Sequence, residues 1–184
     1  RGEEEQDISQ SKLVMGFRCG MHEPFENYAA MRTFTDLFGG GTYSRLFMNV
    51  REKQSLCYYC AARLTAANGI LTVQSGVETE NAERAEKEIL KQLDEMKAGG
   101  VTAEDLEKSK RSMEDFFLSV FDTPEELDGW LFSQVTDDEF QTPEDLVADM
   151  KEVTVEQVIE MANNISLDTV FLLKGTGTGG DGEA

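Results

Sequence analysis

The sequence predicts an α+β domain, an antiparallel or mixed sheet with helices packed on one face, and three observations predict it. Asn68-Gly69 separates two β-rich runs, Cys57 to Ala66 and Ile70 to Glu78. Asn-Gly favours a type I′ hairpin turn because both residues tolerate positive φ. Helix-start patterns recur through the second half of the chain, and short apolar runs bounded by turn residues stand near both ends. The resulting order, strand, helices, hairpin, several helices, strand, belongs to segregated α+β folds rather than to βαβ alternation.

Each element has its own warrant. Lys12 to Cys19 is short and apolar, hence a strand. Pro24 opens a helix that carries Tyr28, Met31, Phe34, Thr35 and Phe38 at near-helical spacing, and Gly39-Gly40-Gly41 stops it. A second short helix runs from Tyr43 to about Lys53, ahead of the hairpin. Ala82, Ala85, Ile89, Leu93 and Met96 then form one apolar stripe, ended by Gly99-Gly100. Thr102 with Asp105 starts a helix that turns Leu106, Met113, Phe117 and Val120 inward. Thr123-Pro124-Glu125-Glu126 and Thr142-Pro143-Glu144-Asp145 place a capping threonine before proline at the first helical position, and Thr154 with Gln157 opens a last helix. Asp168 to Lys174 closes the sheet. Arg1 to Gln10 and Gly175 to Ala184 read as low-complexity, unfolded ends, which leaves residues 11–174 as one domain.

Composition removes whole classes of function. The 184 residues hold 36 Asp and Glu against 17 Lys and Arg, a formal charge of −19. Such a field repels phosphate backbones and anionic lipid heads, so neither nucleic acid nor a membrane surface is an expected partner. Part of the acidity is helix capping, since carboxylates are favourable at helix N-termini. No apolar run approaches the roughly 20 residues of a bilayer span, and Arg1 to Gln10 is unlike a secretory signal. Three cysteines argue against a disulfide framework and for a reducing, cytoplasmic location. The single histidine, His22, rules out any site in this chain that needs two, the common zinc-hydrolase motifs included.

Several residues carry a functional reading beside a plainer one. Cys19, His22, Cys57 and Cys60 have zinc-ligand chemistry. Cys57 and Cys60 lie in a predicted strand, however, where residues three apart point to opposite faces, so small core thiols are the plainer reading and no metal is expected here. Gly39-Gly40-Gly41 precedes a helix as a phosphate cradle does, but lacks the following Lys-Ser/Thr, and a tight helix-to-helix turn suffices. Arg51 near a helix end can complement the dipole, and Tyr58 in a strand can pack. Together they can also aim a guanidinium and a phenol into one space, a pair suited to a peptide carbonyl or an oxyanion.

Residues 39 to 59, GGGTYSRLFMNVREKQSLCYY, resemble the C-terminal half of pitrilysin/insulinase-family (inverzincin) zinc metallopeptidases. VETENAERAEKEI, the VTAEDLEKSK helix start and the later amphipathic helices are similar to the same domain, so the resemblance extends over residues 12–174. It implies a half domain of the pitrilysin and mitochondrial-processing-peptidase type, and it is close to bacterial homologues of the inactive kind. Two such halves, in one chain or two, close on a chamber for unfolded peptides. The implied partner is therefore an N-terminal half domain or a paired pitrilysin-like subunit, and the implied substrate an unfolded peptide. Zinc is implied for that other half, which carries HxxEH, and no cofactor for this chain. By residue-wise carry-over, Arg51 and Tyr58 match the arginine and tyrosine that bind substrate and stabilise the oxyanion across the gap. Cys57 departs from the pattern, where the family often has glycine. The expectation is thus a non-zinc-binding C-terminal half without catalytic residues of its own; the alternative is an inactive homologue that serves as structural or peptide-binding partner.

Overall fold

The computed structural model describes residues 1–20, 27–133 and 141–177. In chain order the elements are β1 (Gly2–Gln6), β2 (Ser11–Arg18), α1 (Tyr28–Gly39), a π-helix (Leu46–Lys53), β3 (Cys57–Thr65), β4 (Ile70–Val77), α2 (Ala82–Lys97), α3 (Ala103–Leu118), α4 (Pro124–Ser133), α5 (Pro143–Lys151), α6 (Val155–Asn164) and β5 (Ser166–Gly175). The strands form one sheet in the order β1-β5-β2-β4-β3. It is mixed, because β1 runs parallel to β5 while the other pairs are antiparallel. His22 and the helix start expected at Pro24 lie outside the described residues.

Alternation on the strands sorts the two faces. Leu13, Met15 and Phe17 of β2, Leu71, Val73 and Val77 of β4, and Val170 and Leu172 of β5 all point inward. They meet Phe34 and Phe38 of α1, Ile89 and Met96 of α2, and Val158 and Met161 of α6 in one core. Each such side chain contributes on the order of 1.5–3 kcal/mol by leaving water. A smaller cluster of Met113, Phe117, Leu146, Val147 and Met150 joins α3 to α5. The opposite sheet face carries Lys12, Arg18, Ala61, Arg63 and Gln74, all exposed.

Local chemistry sets the helix starts. Thr102 with Asp105, Thr142 with Asp145 and Thr154 with Gln157 form reciprocal capping boxes, which satisfy backbone donors otherwise left open. Position 39, the last of α1, takes glycine because a Cβ there would stand 2.6 Å from the Ala62 backbone nitrogen. The glycine run is therefore a packed turn, with α1 pressed directly on β3.

Two expectations are corrected. Residues 1–10 are not an unfolded tail: Gly2–Gln6 pair with Phe171–Gly175 as edge strand β1, braced by ion pairs of Glu3 with Lys174 and Arg1 with Glu86. The β3–β4 hairpin is present, but its connection is not a two-residue turn. Thr65 pairs with Ile70, and Ala66–Asn68 make a 3₁₀ turn before Gly69, which alone takes the left-handed conformation at φ 58°. At the other end Gly175 closes β5 rather than opening a tail, while residues 178–184 lie outside those described.

Candidate functional site at the β3 edge

Arg51 and Tyr58 come to the same end of the molecule, where the π-helix packs against the start of edge strand β3. The π-helix is fixed from below by buried Leu46 and Val50. From the side, Asn49 donates to Gln92 at 2.6 Å and Gln92 to Glu88 at 2.7 Å, which ties it to α2. Wider π-type turns recur at functional sites because they displace side chains from an α-helical course. Here the Arg51 guanidinium lies 4.7 Å from the centroid of the Phe47 ring, with its Nε 3.7 Å from a Glu52 oxygen. Its side chain is 40% exposed.

Tyr58 is placed by an irregularity in the β3–β4 ladder. Cys57 pairs with Val77 and Tyr59 with Gly76, which leaves Tyr58 as the extra residue of a β-bulge. The bulge swings its ring outward to 55% exposure. Its hydroxyl donates to the Glu78 carboxylate. That hydrogen bond, with the Glu78 charge, raises the phenol pKa, so Tyr58 keeps its proton as a donor. Buried Ser75 donates to the Tyr59 carbonyl at 2.9 Å, which satisfies a backbone acceptor at the disturbed ladder. Arg51 and Tyr58 thus stand at the same end of the β3 edge, each held by its own partner.

The bulge also overturns the strand argument about the two thiols. Cys57 stands opposite Val77 and Cys60 opposite Ser75, and Val77 and Ser75 share the inner face of β4. Directly opposed residues of antiparallel strands point the same way. Cys57 and Cys60 therefore lie on one face, like residues two apart in a regular strand, not on opposite faces. Their thiols hydrogen-bond. This contact chiefly lowers the Cys57 pKa, against burial and with help from Ser75 and the Arg51 charge, to about 7. The same contact raises that of Cys60. Cys57 consequently turns toward the core.

The four-residue zinc reading fails on distance as well. The Cys19 amide bonds to the Gly69 carbonyl, at the far end of β4 from Val77. Seven residues at roughly 3.3 Å each separate Ile70 from Val77, about 23 Å. Among the described residues no group of three or more His, Cys, Asp or Glu side chains is placed to hold a metal. Zinc thus does not fit the side chains of the described residues. Neither Glu78 as partner of Tyr58 nor the bulge is signalled by the sequence, because both arise from pairing across the hairpin.

A half-sandwich of this topology, with its arginine-bearing helix ahead of the edge hairpin, defines the class: the chain belongs to the peptidase M16 (pitrilysin-type) family, and residues 2–113 match that family's inactive domain. It is 38% identical over 173 residues to the probable inactive metalloprotease YmfF of Bacillus subtilis (strain 168), covering 94% of this chain and 41% of that protein. It is 25% identical over 162 residues, 86% of this chain and 39% of the relative, to the uncharacterized zinc protease YmxG of the same strain. The crystal structure of a conserved protein from Enterococcus faecalis V583 superposes with a TM-score of 0.86 at 26% identity, covering 96% of this chain and 42% of that one. The chain thus spans about two fifths of the length of the relatives it matches. Among the described residues no helix is long and apolar enough to cross a membrane.

Proposed function

We propose that the chain acts as the non-zinc-binding C-terminal half of a pitrilysin-type metallopeptidase, one that binds an extended, unfolded peptide against a second half carrying the zinc. Arg51 orients the substrate carbonyl, and Tyr58 donates its phenolic proton to the oxyanion of the tetrahedral intermediate. The observation that carries this reading is the bulge: it holds an exposed, protonated phenol beside the helix that presents an exposed guanidinium. Glu78 parks the Tyr58 hydroxyl and yields it when substrate arrives. Exposed Phe116, Phe121, Leu131 and Phe132 around the α3–α4 junction support a covering half domain or paired subunit, since large apolar side chains left in water favour a protein contact. Three unpaired thiols support a cytoplasmic setting.

The experiment joins this chain to an HxxEH-bearing half and follows cleavage of an unstructured peptide. Arg51→Ala and Tyr58→Phe should each cut kcat by about 10²–10³, the cost of one lost oxyanion donor, with unfolding unchanged. Chelator-sensitive turnover by the isolated chain would refute the assignment. A second reading, an inactive homologue serving as structural or peptide-binding partner, is favoured by the name of the 38% identical relative, probable inactive metalloprotease. Binding of the peptide without cleavage by the joined halves would select it.

A further inference from the structure

The bulge that frees Tyr58 creates a second arrangement, on the inner side of the same strand, that peptide handling does not use. Cys57 and Cys60 are brought to one face by the register of β3 on β4. Their partners Val77 and Ser75, two residues apart at roughly 3.3 Å each, stand about 6.6 Å from one another, near the upper end of the roughly 4.4–6.8 Å Cα span of disulfides. Their sulfurs already hydrogen-bond, and the Ser75 hydroxyl and Arg51 charge adjoin Cys57. Cys57 is half-buried at the rim of the core, whereas Cys60 is 5% exposed beneath it. The third thiol provides an internal contrast: Cys19 is fully buried at the opposite end of the sheet, and burial pushes its pKa up to about 11.

We propose that Cys57 and Cys60 form a hydroperoxide-reactive modification site, with Cys57 the attacking sulfur and Cys60 the resolving thiol. The Cys57 thiolate attacks the distal oxygen of a hydroperoxide. The O–O bond breaks, the alkoxide or hydroxide leaves and takes up a proton, and Cys57 becomes a sulfenic acid. The Cys60 sulfur then attacks that sulfur. The S–S bond forms, the S–O bond breaks, and the departing hydroxide leaves as water with the Cys60 proton. The sulfur pair loses two electrons and the peroxide gains them. An electropositive, partly exposed thiolate is the kind that reacts in this way, and a neighbouring thiol is what stops it at the disulfide. In a reducing compartment such a bond is transient, which suits a sensor rather than a structural staple.

The test uses the full reduced chain treated with hydrogen peroxide, followed by alkylation, intact mass and peptide mapping. Wild type should lose two hydrogens and two alkylatable thiols, with a Cys57–Cys60 cross-linked peptide, while Cys19 stays alkylatable. Thiol loss at Cys57 should outpace that at Cys19 by about tenfold or more, as thiolate character and exposure dictate. Cys60→Ala should halt at a dimedone-trapped adduct on Cys57, and Cys57→Ala should leave Cys60 reduced. Circular dichroism checks that both variants fold; if neither does, the cross-linked wild-type peptide decides alone. A persistent sulfenic acid in wild type, a disulfide through Cys19 or between molecules, or an unreactive Cys57 would overturn the proposal.

Discussion

Asp36 of α1 offers the sharpest stability test, because one carboxylate oxygen serves two elements. Its Oδ2 accepts from the Tyr43 hydroxyl in the turn after α1 and from Ser109 of α3, each at 2.5 Å. Burial, only partly offset by Ser109, Tyr43 and Arg32, raises the Asp36 pKa. Asp36→Ala removes the acceptor that both hydroxyls share, and so both hydrogen bonds, and strands the fully buried Ser109 hydroxyl. Hydrogen bonds to a charged group are worth about 1.5–3 kcal/mol each; taking the lower value for this half-buried site gives a loss of about 3 kcal/mol. In domains of this size ~1 kcal/mol moves Tm by about 2–4 °C, so Tm should fall by about 6–12 °C. Asp36→Asn keeps an oxygen that both hydroxyls can reach and removes the charge. The sign follows from linkage. The folded state holds this proton more tightly than the unfolded chain, so the group favours folding in acid. That advantage fades as pH rises from about 4 through the folded value. Asp36→Asn should therefore be no less stable than wild type at pH 7, and should gain on it between acid and neutral pH. Denaturant melts from pH 3 to 7 measure this. An Asp36→Ala protein as stable as wild type, or an Asp36→Asn protein as damaged as the alanine, would refute it.

Two further outcomes concern the β3 edge. Iodoacetamide labelling of Cys57 against pH should show a midpoint near 7. Cys60→Ala should move that midpoint toward the ordinary thiol value of about 8.5, and Arg51→Ala should move it less, since the thiol contact is the larger cause; equal midpoints in all three proteins would contradict the geometry. Deleting Tyr58 should restore a regular ladder with every inward residue of β3 still facing the core, so Tm should stay within about 4 °C of wild type, the shift for ~1 kcal/mol. Deleting Ala61 reverses the facing of one part of the strand and should destabilise far more. Thermal melts of the two deletions distinguish them.

What the sequence disclosed was local. Thr102, Thr142 and Thr154 announce helices because a cap and its partner stand within one turn, and Asn68-Gly69 announces the hairpin. Its turn type was not legible, for loop length depends on where the ladder stops: Thr65 and Ile70 close it over four residues. Strand β1 was hidden by its own composition, since GEEEQ has no apolar alternation and is a strand only because β5 offers it a partner. The motif around Arg51 and Tyr58 was legible as a resemblance, and the structure set the two at one edge. The paired thiols were misjudged for the same physical reason that β1 was missed. A bulge is a property of two strands, and the spacing of Cys57 and Cys60 alone assigns them to opposite faces.

The position of β5 between β1 and β2 has a consequence for how the chain assembles. Strand β1 finds its neighbour only once β5, far along the chain, has been made, since among the described strands β1 bonds to β5 alone. Until then Gly2–Gln6 must wait as bare backbone, a template for stray pairing. Its run of glutamates repels other copies during that interval, so the acidic stretch that disguises the strand in the sequence also shields it from aggregation until the sheet is completed.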